Sequence, residues 1–183
     1  MSFALQRHWH QPRKGTAIPY MAHLLQVCGI VLEAGGDEDQ AIAALLHDAI
    51  EDAPAGQADW VRRQIRGRFG GRVLGIVEAC TDADTQPKPP WRERKERYVE
   101  RLRSVPSDAL LVASADKLHN ARATLRDLRD VGEAVWDRFA GGREGTLWYY
   151  RAVVDALRRA GGTPLLSELE TTLSAIEAEA GTA

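Results

Sequence analysis

The chain has 183 residues, 44% of them hydrophobic and 27% charged, with a formal net charge of −2. That is enough apolar material for one buried core and too little for two, so a single domain spanning residues 1–183 is expected. The near-neutral charge argues against wholesale electrostatic binding to nucleic acid or an anionic membrane, and leaves room for a local basic pocket. No run approaches the roughly 18 apolar residues of a membrane span. The N-terminal residues, with Arg7, His8, His10 and Arg13, lack the apolar stretch of a secretion signal. Cys28 and Cys80 sit singly in apolar helical patterns and read as small buried side chains, which fits a reducing cytoplasm. The pattern leaves homo-oligomerisation open.

Helical periodicity runs along the chain, and no period-two alternation suggests a sheet, so an all-α bundle of about eight to ten helices is expected. Pro19 opens a helix with apolar positions Leu24, Val27, Cys28, Val31 and Leu32, stopped by Gly35-Gly36. Asp37 caps the next, predicted to run through Leu45, Leu46 and Ile50 to about Asp52, before Pro54 and Gly56 break it. Trp60, Ile65 and Phe69 mark a helix ending at Gly70-Gly71, and Val73 to Val77 start another that ends near Thr81. Asp82 to Pro90, rich in proline, reads as a surface loop, with Asp82 and Asp84 as plain loop residues. A charged helix follows over Trp91 to Arg103, then a long one from Leu110 past Leu128. Gly141-Gly142 breaks the chain before a stripe from Leu147 to Leu157, and a last amphipathic helix spans about Pro164 to Ala178.

The chemistry is concentrated in three places. His47-Asp48-Ala49-Ile50-Glu51-Asp52 puts four ionisable groups at the end of an apolar helix, where charge is costly unless paired or bound to metal. His23 lies on the preceding helix among Met21, Leu24, Leu25 and Val27. Asp116 follows a run of small and apolar residues on the long helix, with Asn120 one turn beyond. Taken singly, the His47–Asp52 segment can also be read as a solvated helix end with His47 packed in the core, and His23 as a structural histidine, whereas Asp116 is hard to leave unpaired in a core. Together, the two imidazoles and two carboxylates of His23, His47, Asp48 and Asp116 make a mixed nitrogen and oxygen set that suits Mn²⁺, Fe²⁺ or Zn²⁺. A metal there lowers the pKa of bound water, and Glu51 and Asp52 stand on the same helix end to orient that water or move its proton. Hydrolysis at phosphorus is the reaction class this suggests.

The segments Pro19-Tyr20-Met21-Ala22-His23, His47-Asp48-Ala49-Ile50-Glu51-Asp52 and Ala115-Asp116-Lys117-Leu118-His119-Asn120 resemble the motifs of HD-superfamily phosphohydrolases, and more closely those of the RelA/SpoT-type hydrolase domain. The resemblance covers about residues 5 to 160 and leaves no room for the synthetase and regulatory domains of the long RelA/SpoT proteins, so it implies a stand-alone small alarmone hydrolase. It implies removal of pyrophosphate from the 3′ position of ppGpp and pppGpp, usually with Mn²⁺. It assigns His23, His47, Asp48 and Asp116 as metal ligands, Glu51 and Asp52 as the carboxylates that handle water, and Asn120 as a contact to the sugar. Arg13, Lys14, Tyr20, Lys95, Lys117 and Arg143 become substrate contacts. The segment Gly15-Thr16-Ala17-Ile18 departs from the family pattern, as does the Asp82–Pro90 loop. Another nucleotide, such as an adenosine alarmone or the 2′-phosphate of NADPH, remains an alternative on the same scaffold, as does a non-catalytic nucleotide sensor.

Of the remaining conspicuous residues, His8 and His10 read as surface or packing side chains, and His119 as either a hydrogen-bond partner behind the ligands or a packed ring. Arg94 stands with Lys95 as a candidate phosphate contact. Most of the Trp148-Tyr149-Tyr150 run reads as packing.

Overall fold

The structure, a computed structural model, describes residues 1–85 and 87–181. These form α1 (Ser2–His8), α2 (Tyr20–Glu33), α3 (Glu38–Leu46), α4 (Ala58–Cys80), α5 (Trp91–Leu102), α6 (Ser107–Val131), a 3₁₀ segment (Gly132–Arg138), α7 (Gly142–Arg159) and α8 (Leu166–Gly181). The fold is all-α: the described residues contain no strand, only an isolated antiparallel bridge between Pro12 and Pro19. None of the helices is long and apolar enough to cross a membrane.

Local chemistry accounts for most boundaries. Asp37 caps α3 in a reciprocal box: its carboxylate accepts from Gln40 N at 3.0 Å, and Gln40 Oε1 accepts from Asp37 N at 2.9 Å. The two helices predicted on either side of Gly70 abut there, and Gly70 itself has φ 91° and ψ 173°, a conformation closed to residues with a Cβ. The last helix begins at Leu166 and reaches Gly181, later at both ends than the predicted 164–178. Cys80 is buried as expected, whereas Cys28 is only half-buried; both are free thiols.

One boundary differs in a way that matters. α3 stops at Leu46 rather than continuing to Asp52, and residues 47–52 form tight turns. Ala49 N bonds to Leu46 O at 2.9 Å and Ala53 N to Ile50 O at 3.2 Å, three residues apart rather than four. In a continuous α-helix adjacent side chains diverge. In these turns His47 Nε2 and Asp48 Oδ2 meet at 2.9 Å.

α6 is the axis of the bundle. It packs against α2, α3, α4, α7 and α8, while α5 lies on α7. Its first half, Ala109 to Asp116, is buried without interruption, and small residues (Ala113, Ser114, Ala115) let neighbouring helices approach closely. The core is one contiguous cluster running from Phe3 to Ala180. This arrangement brings the middle of α6 against the first turn of α2 and the end of α3, where the ionisable residues lie.

Candidate active site

His23 comes from α2, His47 and Asp48 from the turn after α3, and Asp116 from α6. One ligand atom from each of His23, His47 and Asp116 lies within 4.8 Å of the others, and all three residues are buried. His23 Nε2 is 3.2 Å from His47 Nε2 and 3.3 Å from Asp116 Oδ1; His47 Nε2 is 3.5 Å from Asp116 Oδ1. Asp48 Oδ2 joins from the side, 2.9 Å from His47 Nε2 and 3.7 Å from His23 Nε2.

The hydrogen bonds behind the rings determine what faces the centre. His47 Nδ1 is 2.8 Å from Ala44 O, an acceptor only, so Nδ1 carries the proton. His23 Nδ1 lies 2.8 Å from His119 Nδ1, and that His119 nitrogen also receives Arg13 Nη1 at 3.4 Å. Arginine only donates, so His119 Nδ1 is the acceptor and His23 Nδ1 is the donor. Burial first, then the neighbouring His23 and Arg13, push the His119 pKa down to about 3, which keeps it neutral. In the neutral rings both Nε2 atoms would therefore turn lone pairs to one another, next to two carboxylates. Such a cluster repels itself unless something positive sits within it. Without a metal a proton would serve: burial disfavours a charged His47, but Asp48 and Asp116 outweigh burial and hold its pKa well above the ordinary value. The donor set thus fits a divalent cation held by His23, His47 and Asp116, with Asp48 alongside.

Second partners orient the carboxylates. Tyr20 donates to Asp48 Oδ2 at 2.5 Å, Lys117 Nζ to Asp116 Oδ2 at 2.5 Å, and Asn120 Nδ2 to Asp116 Oδ1 at 2.6 Å. Asn120 Oδ1 in turn accepts from Arg13 Nη2 at 3.0 Å. Lys117 stays charged in its buried position: burial lowers its pKa, but Asp116 outweighs that and raises it well above the ordinary value. Glu51 accepts from Asp82 N at 3.1 Å and from Lys88 Nζ at 2.9 Å, and burial first, then Asp48, raises its pKa. Asp52 accepts from Gln11 Nε2 at 2.8 Å.

Tyr20, Lys117 and Asn120 also line a cavity of about 380 Å³, so the cluster of ligands and the cavity share a wall. Arg13, Lys14, Arg94, Lys95 and Arg138 add positive charge to it, with Trp91, Phe139, Tyr149 and Tyr150 as apolar surface. In a chain of net charge −2 this is a concentrated cationic pocket, of the kind a polyanion fills.

Of the sequence-predicted substrate contacts, Arg13, Lys14, Tyr20, Lys95 and Lys117 are in this cavity wall, and Arg143 is not. The Arg143 guanidinium instead donates to Ala180 O and lies 3.5 Å from Glu133, tying α7 to the start of the 3₁₀ segment and the end of α8. Arg138, five residues earlier, stands in the wall instead; it belongs to the 3₁₀ segment, where no helical periodicity marks it out. Asp82, expected to be a plain loop residue, is also misjudged from sequence. Its side chain is 5% exposed and accepts from both Arg94 and Lys95 (Nζ at 2.8 Å), while its backbone holds Glu51. The only signal was an acid ahead of a basic helix. His8 is buried and stacks on Tyr20 with ring centroids 5.3 Å apart, whereas His10 is exposed.

Two buried histidines and a buried aspartate, with Asp48 beside them, where α2, α6 and the turn after α3 meet define an HD-domain protein, and the HD-domain family model matches residues 1–147. The chain belongs to the HD-domain family. Within it, the chain is 38% identical over 138 residues to the Xenopus tropicalis guanosine-3′,5′-bis(diphosphate) 3′-pyrophosphohydrolase MESH1, covering 74% of this chain and 70% of that protein. The Homo sapiens protein of the same name is 36% identical over 137 residues, 73% of this chain and 70% of that one. A solved structure described as a metazoan orthologue of SpoT that hydrolyses ppGpp superposes with a TM-score of 0.73 at 31% identity, covering 100% of this chain and 93% of that one.

Proposed function

We propose that the protein is a guanosine-3′,5′-bis(diphosphate) 3′-pyrophosphohydrolase whose divalent ion is Mn²⁺. The observation that carries this reading is the pair of imidazole Nε2 atoms facing two carboxylates at the edge of a cationic cavity. The similarity to the pyrophosphohydrolases agrees with it. A divalent ion bound by His23, His47, Asp48 and Asp116 supplies Lewis acidity, which makes water nucleophilic near neutral pH.

The chain's own groups do the rest. Glu51 takes a proton from the attacking water and Asp52 orients it. Burial keeps the Glu51 pKa above that of a solvated carboxylate, closer to what proton transfer at neutral pH requires. The water oxygen bonds to the 3′-linked phosphorus, the bond from that phosphorus to the 3′-oxygen breaks, and the proton taken up by Glu51 passes to the 3′-oxygen. The products are GDP, or GTP from pppGpp, and pyrophosphate. Arg94, Lys95 and Lys117 neutralise the departing pyrophosphate. Arg13, Lys14 and Tyr20 face the nucleotide, and Asn120 contacts its sugar while holding Asp116. The two free thiols agree with a cytoplasmic setting.

The test is pyrophosphate release from ppGpp by metal-stripped protein, with and without added Mn²⁺, Fe²⁺ or Zn²⁺. Mn²⁺-dependent release with GDP as co-product is expected. Metal binding without release would move the assignment to another nucleotide ester or to a sensor.

A further inference from the structure

Among the described residues lining the cavity, Arg13, Lys14, Arg94, Lys95, Lys117 and Arg138 are cationic and Asp127 is the one acid. A carboxylate works against binding a polyanion, so its position in the wall calls for a reason. Asp116, Asn120, Thr124 and Asp127 follow one another along a single face of α6, and the last three line the cavity. At about 1.5 Å of rise per residue, Asp127 stands about 16 Å along the helix from Asp116. With a 3′-phosphate at the ligand end, that is the end left for the base.

The Asp127 carboxylate is only half committed. Oδ2 accepts from Arg138 Nη1 at 2.8 Å. On the Oδ1 side the nearest cation is Arg126 Nε at 3.6 Å, beyond hydrogen-bonding reach, and no hydrogen bond from the described residues falls on Oδ1. Arg138 is held in place from its other side. Gly15 has φ +72°, and a Cβ there would lie 2.8 Å from Arg138 Cδ, so the loop that carries Arg13 and Lys14 closes directly onto the Arg138 side chain. The cavity thus ends in a guanidinium donor beside an open carboxylate acceptor.

We propose that Asp127, with Arg138 beside it, reads the purine and selects guanine over adenine. This rests on the nucleotide-hydrolase reading above. Guanine offers an N2 amino donor and an N1–H next to the O6 acceptor, which complements a carboxylate paired with a guanidinium. Adenine turns an N1 lone pair towards the carboxylate and carries an amino donor where Arg138 needs an acceptor. A polar site built for one base rejects the other because its own groups are left unpaired.

The experiment compares Mn²⁺-loaded wild type, Asp127→Asn and Asp127→Ala in two ways. One is kcat/KM for ppGpp and its adenosine counterpart. The other is calorimetric binding of guanosine and adenosine 3′,5′-bisphosphate, which needs no turnover. Wild type should prefer guanine in both. Asp127→Asn should shrink that preference by about tenfold to a hundredfold, chiefly through KM. Circular dichroism checks that each variant is folded. If Asp127 only steadies Arg138, both bases lose affinity by the same factor and the ratio stays put, which overturns the inference. Equal turnover of both nucleotides by wild type overturns it too, while leaving the hydrolase reading intact. Absence of turnover and of binding for either base overturns both.

Discussion

His23 and His119 share a hydrogen bond between their Nδ1 atoms at 2.8 Å, and Arg13 determines its direction by donating to the same His119 nitrogen. The bond holds His23 in the tautomer that turns a lone pair into the centre. His119→Ala frees the ring and its proton, and partners of this kind are worth about 10- to 100-fold in metal affinity. Competition against a chelating dye should show Mn²⁺ affinity falling by that factor, with turnover recovering at excess metal. Unchanged affinity would mean that His119 is only packed.

Glu51 and Asp116 should fail in different ways. Asp116→Ala removes a ligand and leaves His23 and His47 facing one another, so bound metal and turnover should be lost together. Glu51→Ala removes a carboxylate held by Lys88 and Asp82 N, outside the ligand cluster. Its turnover should fall by about 10²- to 10⁴-fold with metal content unchanged, as elemental analysis of both variants would show. Equal metal loss from Glu51→Ala would refute a role in handling water.

Asp82 pairs two cations that line the cavity. Asp82→Ala leaves Arg94 and Lys95 without their carboxylate, and should cost about 2 kcal/mol of stability in urea unfolding and raise KM for ppGpp. Asp82→Asn keeps one acceptor and should lose less. A variant of wild-type stability would show that solvent replaces the pair at no cost.

The kink in α4 rests on Gly70, whose backbone is in a region other residues avoid, while nothing lies within 4 Å of where a Cβ would stand. Gly70→Ala should therefore destabilise by about 2 kcal/mol through the backbone alone. Thermal melting checks this, and a gain in stability would show that the helix straightens without penalty.

Metal should stabilise the folded chain. Mn²⁺ at about a thousandfold above its dissociation constant adds about 4 kcal/mol. The gain should shrink as pH falls, because protons compete with the metal for its ligands. A melting temperature indifferent to Mn²⁺ at pH 8 would contradict the ligand set.

Periodicity alone determined the all-α class and most helix boundaries, because apolar spacing and the Asp37 cap act within a few residues. It also singled out His23, His47, Asp48 and Asp116, since ionisable groups on core helices conflict with their surroundings in sequence alone. Only the tertiary structure decided how α3 ends. Tight turns converge His47 and Asp48 on the α2 and α6 ligands, and no local propensity encodes that meeting point. The same holds for Asp82, Arg138 and Asp127, and for Arg143, which turns to α8 instead of the cavity. Each is an ordinary charged residue until a segment distant in sequence supplies its partner. Charge acquires a role from what lies across from it, and that is settled by packing.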